Sequence, residues 1–174
     1  QQPPTIAKFD SENNKFESVT GEFIPEEVRY GPSVFNKNKL YHYSPSPNNP
    51  NAFKSYDFFT KQLKSLAPFP GDLRINGLIK SVGDYIYFGL GVNDTLQYFA
   101  DIWRYSVVSD TWEFVMNFPG LDAKEKAKEK PLSFVIENNI YIAAGQRDSY
   151  NSDFWVFNTE NKTKNHLLTV DIDK

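Results

Sequence analysis

The chain has no cysteine, one methionine and two histidines among its 174 residues. Without thiols it can hold no disulfide, no thiolate metal site and no cysteine nucleophile. The two histidines, His42 and His166, fall far apart in strand-like patterns, which argues against a two-histidine metal site. No apolar run reaches the roughly 18 residues that a membrane-spanning helix needs. Basic and acidic residues, 19 and 22, nearly cancel to a net charge of −3. No field of one sign therefore selects nucleic acid or an acidic membrane surface. The first residues, Gln1-Gln2-Pro3-Pro4, carry neither a basic n-region nor an apolar h-region. They resemble the mature start of an exported chain. The expectation is an exported or cell-surface protein, with the cytoplasm as the alternative.

Aromatic residues are abundant. Phe, Tyr and Trp make up 16% of the chain, a composition that suits the pleated surface of a sheet. The sequence also repeats itself. "SYDFFTKQLKSLAPFPG" at 55–71 lies without a gap on "RYSVVSDTWEFVMNFPG" at 104–120, and Asp101 and Trp103 return as Asp153 and Trp155. "IAKFDSENNKFESV" at 6–19 falls under "IWRYSVVSDTWEFV". Upstream, "NKLYHYS", "DYIYFGLG" and "NNIYIAAG" align at Leu40, Ile86 and Ile140, in steps of 46 and 54 residues. A period of roughly 50 residues is a repeat architecture. Alternation with period two, bounded by Gly, Asn, Asp and Pro, predicts four short strands per unit. In the best-marked unit these are 75–81, 85–90, 101–107 and 111–118. The stretch "LDAKEKAKEK" at 121–130 reads as a solvated loop with one helical turn.

The unit that carries Gly89 and Gly91, then Asp101-Ile102-Trp103-Arg104-Tyr105, then Trp112 and Pro119, resembles the kelch repeat. The next unit shows Ala144-Gly145, Asp153-Phe154-Trp155 and Phe157, with Lys164 in place of the late Trp. The preceding one has Ser44, Lys54 and Leu63 where the pattern has Gly, Trp and Trp. The resemblance implies an all-β fold, a kelch-type β-propeller of about three and a half four-stranded blades. The expected divisions are a half blade at 5–28 and blades at 29–71, 72–120 and 131–174. Three and a half blades do not close a ring. The expectation is a partial propeller, a fragment of a six- or seven-bladed ring whose remaining blades are partners of this chain. Trp103, Trp155, Tyr105 and Trp112 then pack between blades, Trp103 and Trp155 in equivalent buried places. Gly89, Gly91 and Gly145 serve tight backbone near the axis, since no helix follows them to bind a phosphate.

In such a blade the first-to-second and third-to-fourth turns share one face and are short here. The second-to-third loops (44–52, 92–100, 146–151) and the links between blades (67–74, 120–130) share the other face and are long. Long loops on a rigid scaffold are where binding resides. The candidate ligand-binding residues on that face are Asn93, Asp94, Tyr98, Gln146, Arg147, Asp148 and Tyr150. Catalytic and metal residues are expected to be none, and cofactors none. Kelch-like propellers include copper radical oxidases, but their cofactor needs a Cys linked to a Tyr, and this chain has no Cys. The four arginines, Arg29, Arg74, Arg104 and Arg147, show no sequence clustering. Asn93-Asp94-Thr95 and Asn161-Lys162-Thr163 fit the glycosylation acceptor pattern. The reading is a non-catalytic binding module for a protein or glycan ligand. The alternative is part of a sugar-modifying propeller enzyme, of isomerase or oxidoreductase type, completed by further blades.

Overall fold

The structure, a computed structural model, describes residues 5–23, 25, 31–45, 48–49, 51–117, 129–143, 145–147, 149–150 and 153–169. Every regular element among them is a strand. Three four-stranded antiparallel sheets follow one another along the chain, each paired in sequence order apart from a small ribbon in the last. Blade one is β3(Ser33–Asn36), β4(Lys39–Tyr43), β5(Phe53–Asp57) and β6(Gln62–Ser65). Blade two is β7(Leu78–Val82), β8(Tyr85–Gly89), β9(Asp101–Ser106) and β10(Thr111–Asn117). Blade three is β11(Leu132–Ile136), β12(Asn139–Ala143), β15(Asp153–Asn158) and β16(Thr163–Thr169). Before them β1(Thr5–Asp10) pairs with β2(Lys15–Phe23) as a separate two-stranded sheet. Its register sets Phe9 opposite Phe16, just as Tyr105 faces Trp112 and Tyr56 faces Leu63 in the outer pairs of complete blades. The helix-like stretch at 121–128 lies outside the described residues.

The repeat is written most clearly in its turns. In all four units the last residue of the third strand accepts backbone N–H bonds from the turn that follows. Asp10, Asp57 and Asn158 each do so with a side-chain oxygen from residues two and three positions on, and Ser106 does so with its hydroxyl from Ser109. These are the short polar side chains that mimic a backbone turn. Four residues after each, the chain takes a positive φ: 51° at Asn14, 60° at Lys61, 55° at Asp110 and 55° at Lys162. The first-to-second turns repeat as well, with φ of 55° at Lys37, 57° at Gly83 and 53° at Glu137. The residue after each of these, Asn38, Asp84 or Asn138, accepts with its carbonyl the N–H of the residue just past the third strand. Both kinds of short turn are thus tied together at one end of each blade.

β7 lies beside β3 on one side and β11 on the other, so the first strands sit together and the sheets fan outward from them. Alternation gives the middle sheet two buried sides, one against each neighbour. Tyr41, Tyr43, Phe53 and Phe69 of blade one meet Ile79, Ile86, Phe88 and Tyr105 of blade two. Leu78, Val82, Tyr87, Leu90 and Ile102 of blade two meet Ile140, Ile142 and Phe157 of blade three. Trp103 and Trp155 occupy equivalent places, each donating its indole N–H to the aspartate two residues earlier, at 2.7 Å. Both are half-buried, not fully buried as expected. The bond to Asp101 or Asp153 draws each indole toward the strand end, where the carboxylate meets water.

Candidate functional site

At the end opposite the short turns, the link into blade two runs against that blade's own second-to-third loop. Ile75 and Val92 exchange both backbone hydrogen bonds, at 2.8 and 3.0 Å, and Val92 also bridges Tyr98. Glycine makes this approach possible. Gly91 has φ +91°, and a Cβ there would lie 2.5 Å from the Ile75 carbonyl oxygen. A Cβ on Gly89 would lie 2.1 Å from the Asp101 carbonyl oxygen. These glycines therefore serve tight backbone, in the packing of loop on link and of second strand on third.

Asn93 builds the loop. Its Oδ1 accepts the N–H of Thr95 and of Gln97 and the Thr95 hydroxyl, and its Nδ2 donates to Gln97 Oε1. Its backbone pairs with Gln97 and Leu96. A side chain so committed holds conformation and has little left for a ligand. Asp94 stands exposed at the tip. Leu96, with φ +59°, is 74% exposed. Tyr98 is half-buried on the Val92 bridge. In blade three Gln146 and Arg147 form β13(Gln146–Arg147), a small ribbon with β14(Ser149–Tyr150), in what the sequence reading treats as plain loop. Asp148 lies outside the described residues. The seven candidates thus fall into two loops of successive blades.

Beneath the blade-two loop lies a residue the sequence reading passed over. Arg74 is 1% exposed, on the link. Its guanidinium sits between the rings of Phe99, at 4.1 Å, and Phe69, at 4.9 Å. Both terminal nitrogens pair with the Asp101 carboxylate, Nη2 to Oδ2 at 2.9 Å, and Nε donates to the Asp72 carbonyl. Asp101 also accepts the Trp103 indole. A buried guanidinium demands such a planar, doubly bonded partner. The signal in the sequence was the acid of the Asp-x-Trp pattern, which needs a cation. Its partner lay 27 residues away, out of reach of spacing arguments. Burial pushes the pKa of the nearby Tyr43 phenol up, and its oxygen accepts the Arg74 N–H at 3.4 Å.

His42 is fully buried in β4, and His166 packs on Trp155 with ring centres 4.7 Å apart and planes tilted by 54°. Among the described residues no group of three or more His, Cys, Asp or Glu could hold a metal ion. Among the described residues of this face, Leu96, Ile75 and Leu73 are exposed apolar side chains, and Arg74 and Asp101 pair with each other.

Sheets of four antiparallel strands, fanned about their first strands and carrying Asp-x-Trp in the third strand of blades two and three, form a propeller arc. Among solved structures the chain is similar to YjhT, a kelch-repeat propeller protein, with a TM-score of 0.67 at 16% identity. The match covers 85% of this chain and 53% of that one, so the chain spans about half the length of YjhT. No family model and no curated protein sequence matches the chain.

Proposed function

We propose that the protein is a non-catalytic binding module whose long-loop face receives a macromolecular ligand, a protein ahead of a glycan. The observation that carries this reading is the apolar tip of an internally braced loop. Leu96 at 74%, Ile75 at 50% and Leu73 at 38% exposed stand on the link-and-loop end, where Asn93 and the Ile75–Val92 pairing hold the backbone still. Apolar side chains shown to water on a preorganised scaffold suit a protein surface better than a sugar, which asks for flat aromatic faces and convergent polar groups. Asp94 adds a charge at the rim that sets orientation. An exported or cell-surface location belongs to the same proposal, and fractionation of the producing cells tests it separately.

The test compares wild type with the double variant Leu96→Asp, Ile75→Asp, as affinity bait in extract and medium of the cells that make it. A partner held by wild type and lost by the double variant, with both proteins melting alike, is the expected result. Equal capture by both, or turnover of any sugar in a metabolite screen, would sink the binding reading.

A further inference from the structure

We infer that the blade-two rim takes a protein segment that sets a lysine or arginine beside an apolar side chain, an assignment that rests on the binding reading above and gives the partner a chemistry. The Ile75–Val92 pair keeps the register of Leu78 and Gly89, so the link and the loop prolong β7 and β8 beyond the sheet. This extension shows two kinds of group to water. Leu73, Ile75 and Leu96 are its exposed apolar side chains, and Asp72 and Asp94 are its exposed charges. Both acids lie on the far side of the bridge from the sheet, Asp72 ahead of Ile75 and Asp94 just after Val92.

The other charges of this rim are already matched. Arg74 and Asp101 pair beneath the loop, and Lys130 lies 3.9 Å from Glu129, which also accepts the Asn76 amide at 2.6 Å. Among the described residues neither Asp72 nor Asp94 has a basic partner. The apolar side chains are therefore bordered by two uncompensated negative charges. An acidic partner would be repelled here, and a purely apolar one would strip water from two carboxylates and leave them unpaired. A base placed next to the apolar contact meets both demands. A second copy of this chain offers a rival knob, Phe59, 87% exposed at the third-to-fourth turn of blade one. The lysines described around it are engaged: Lys37 with Asp84, Lys39 with Asp57, Lys64 with Asp110, and Lys61 as well. That end brings the apolar side chain without the uncompensated base.

The probe is a phage-displayed library of random peptides, selected on the protein as its cells make it and counter-selected on the Leu96→Asp, Ile75→Asp double variant. The expected winners carry Lys or Arg next to Leu, Ile, Val or Phe. The double variant Asp72→Asn, Asp94→Asn keeps size and removes charge. It should slow association of a winning peptide by roughly three- to tenfold at low salt and change dissociation less, and at roughly 1 M salt wild type should fall to the same rate. Winners without a base, or equal association rates for wild type and the amide variant, would overturn the assignment and leave the binding reading standing. No peptide that tells wild type from the Leu96→Asp, Ile75→Asp variant would overturn it too, and affinity capture then decides the binding reading separately. Self-association that Asp94→Lys abolishes would give the rim to a second copy and would equally overturn it.

Discussion

The two seams of the arc have the same geometry and different chemistry. Between blades one and two, rings pack on rings: Phe69 meets Phe88 at 4.8 Å and Trp112 at 5.2 Å, and Phe53 meets Tyr105 at 4.9 Å. The same seam has directional bonds. Asp110 accepts the Ala67 N–H and the Tyr105 hydroxyl, and the Trp112 indole donates to the Ala67 carbonyl, so both polar groups of one link residue are satisfied by the next blade. Asn36 crosses as well, to Ser81 and the Gly83 carbonyl. Between blades two and three, the buried groups are mostly aliphatic, and polar crossings concentrate at the rim, with Lys162 to Glu113, Lys164 to the Asn117 carbonyl and Asn76 to Glu129, while Tyr87 and Thr159 share one hydrogen bond inside the seam. A propeller seam thus needs volume at fixed register places, and the chemistry that fills it is free to vary. The aromatic seam adds orientation to burial, since edge-to-face pairs contribute about 0.5–1.5 kcal/mol each beyond their area. It should be the last to part.

The sharpest way to break the comparison is a matched pair of truncations. Phe88 and Ile142 hold the same register place, opposite Trp103 and Trp155, and both are essentially unexposed. Phe88→Ala should cost about 3–5 kcal/mol and Ile142→Ala about 2–4, by denaturant titration. Equal costs, or the reverse order, would show that the rings contribute volume alone.

Next in size is Asp110. Its carboxyl is held below the usual carboxylate range, first by the Ala67 N–H and then by the Tyr105 hydroxyl. The sign follows: a depressed folded-state pKa gives stability that is full above the ordinary value near ~4 and lost as pH falls below it. The Tyr105 phenol is pushed up, by burial first and Asp110 second, so its share is full below pH ~10 and lost above. Asp110→Ala should cost about 1 kcal/mol at neutral pH, a modest figure because 40% of the side chain still meets water. It should also flatten the acid limb of the stability curve as pH falls below ~4. An unchanged acid limb would remove Asp110 from the seam.

Strands and blade order were legible in the sequence because both are set by short-range signals. The period-two alternation at 85–90 and 101–107 and the polar turn residues Asp57, Ser106 and Asn158 each sit within a few positions of what they build. The loop face was partly legible. Its location follows from meander topology, yet Asn93 reads as a ligand residue until its bonds to Thr95 and Gln97 are seen. Arg74 and its partner Asp101 were not legible, since burial of an arginine depends on contacts 27 residues apart in the chain. The seam chemistry was half legible: the aromatics were assigned between blades, but which of them interlock depends on the register of two sheets.

A gain in stability tests whether the turns, common to every blade, are independent of the seams. Lys37 and Glu137 sit at φ of 55° and 53°, where blade two has Gly83. A side chain in that region costs about 1–2 kcal/mol against glycine, partly offset by the entropy glycine loses on folding. Glu137→Gly should stabilise by about 0.5–1 kcal/mol, and Lys37→Gly by slightly less, because it also loses an exposed pair with Asp84 of blade two at 3.0 Å. A gain in one and a loss in the other would tie the turn to its seam.

The smallest expected effect probes the rim of the aliphatic seam. Lys162 reaches Glu113 at 2.9 Å, and Arg104 reaches the same carboxylate at 2.6 Å. Lys162 first and Arg104 second hold the Glu113 pKa below its ordinary value. Both partners of the Lys162 pair are about half exposed, so water and salt screen most of the attraction. Lys162→Ala should cost no more than about 0.5 kcal/mol at low salt and nothing measurable near ~1 M salt, where the screening length falls to ~3 Å. Lys162 also holds a positive φ of 55°, which alanine tolerates no better, so Lys162→Gly should offset the lost pair and come out neutral or stabilising. A loss well above 0.5 kcal/mol that persists in high salt would mean that this seam, too, depends on a directional bond, and the contrast between the two seams would fail.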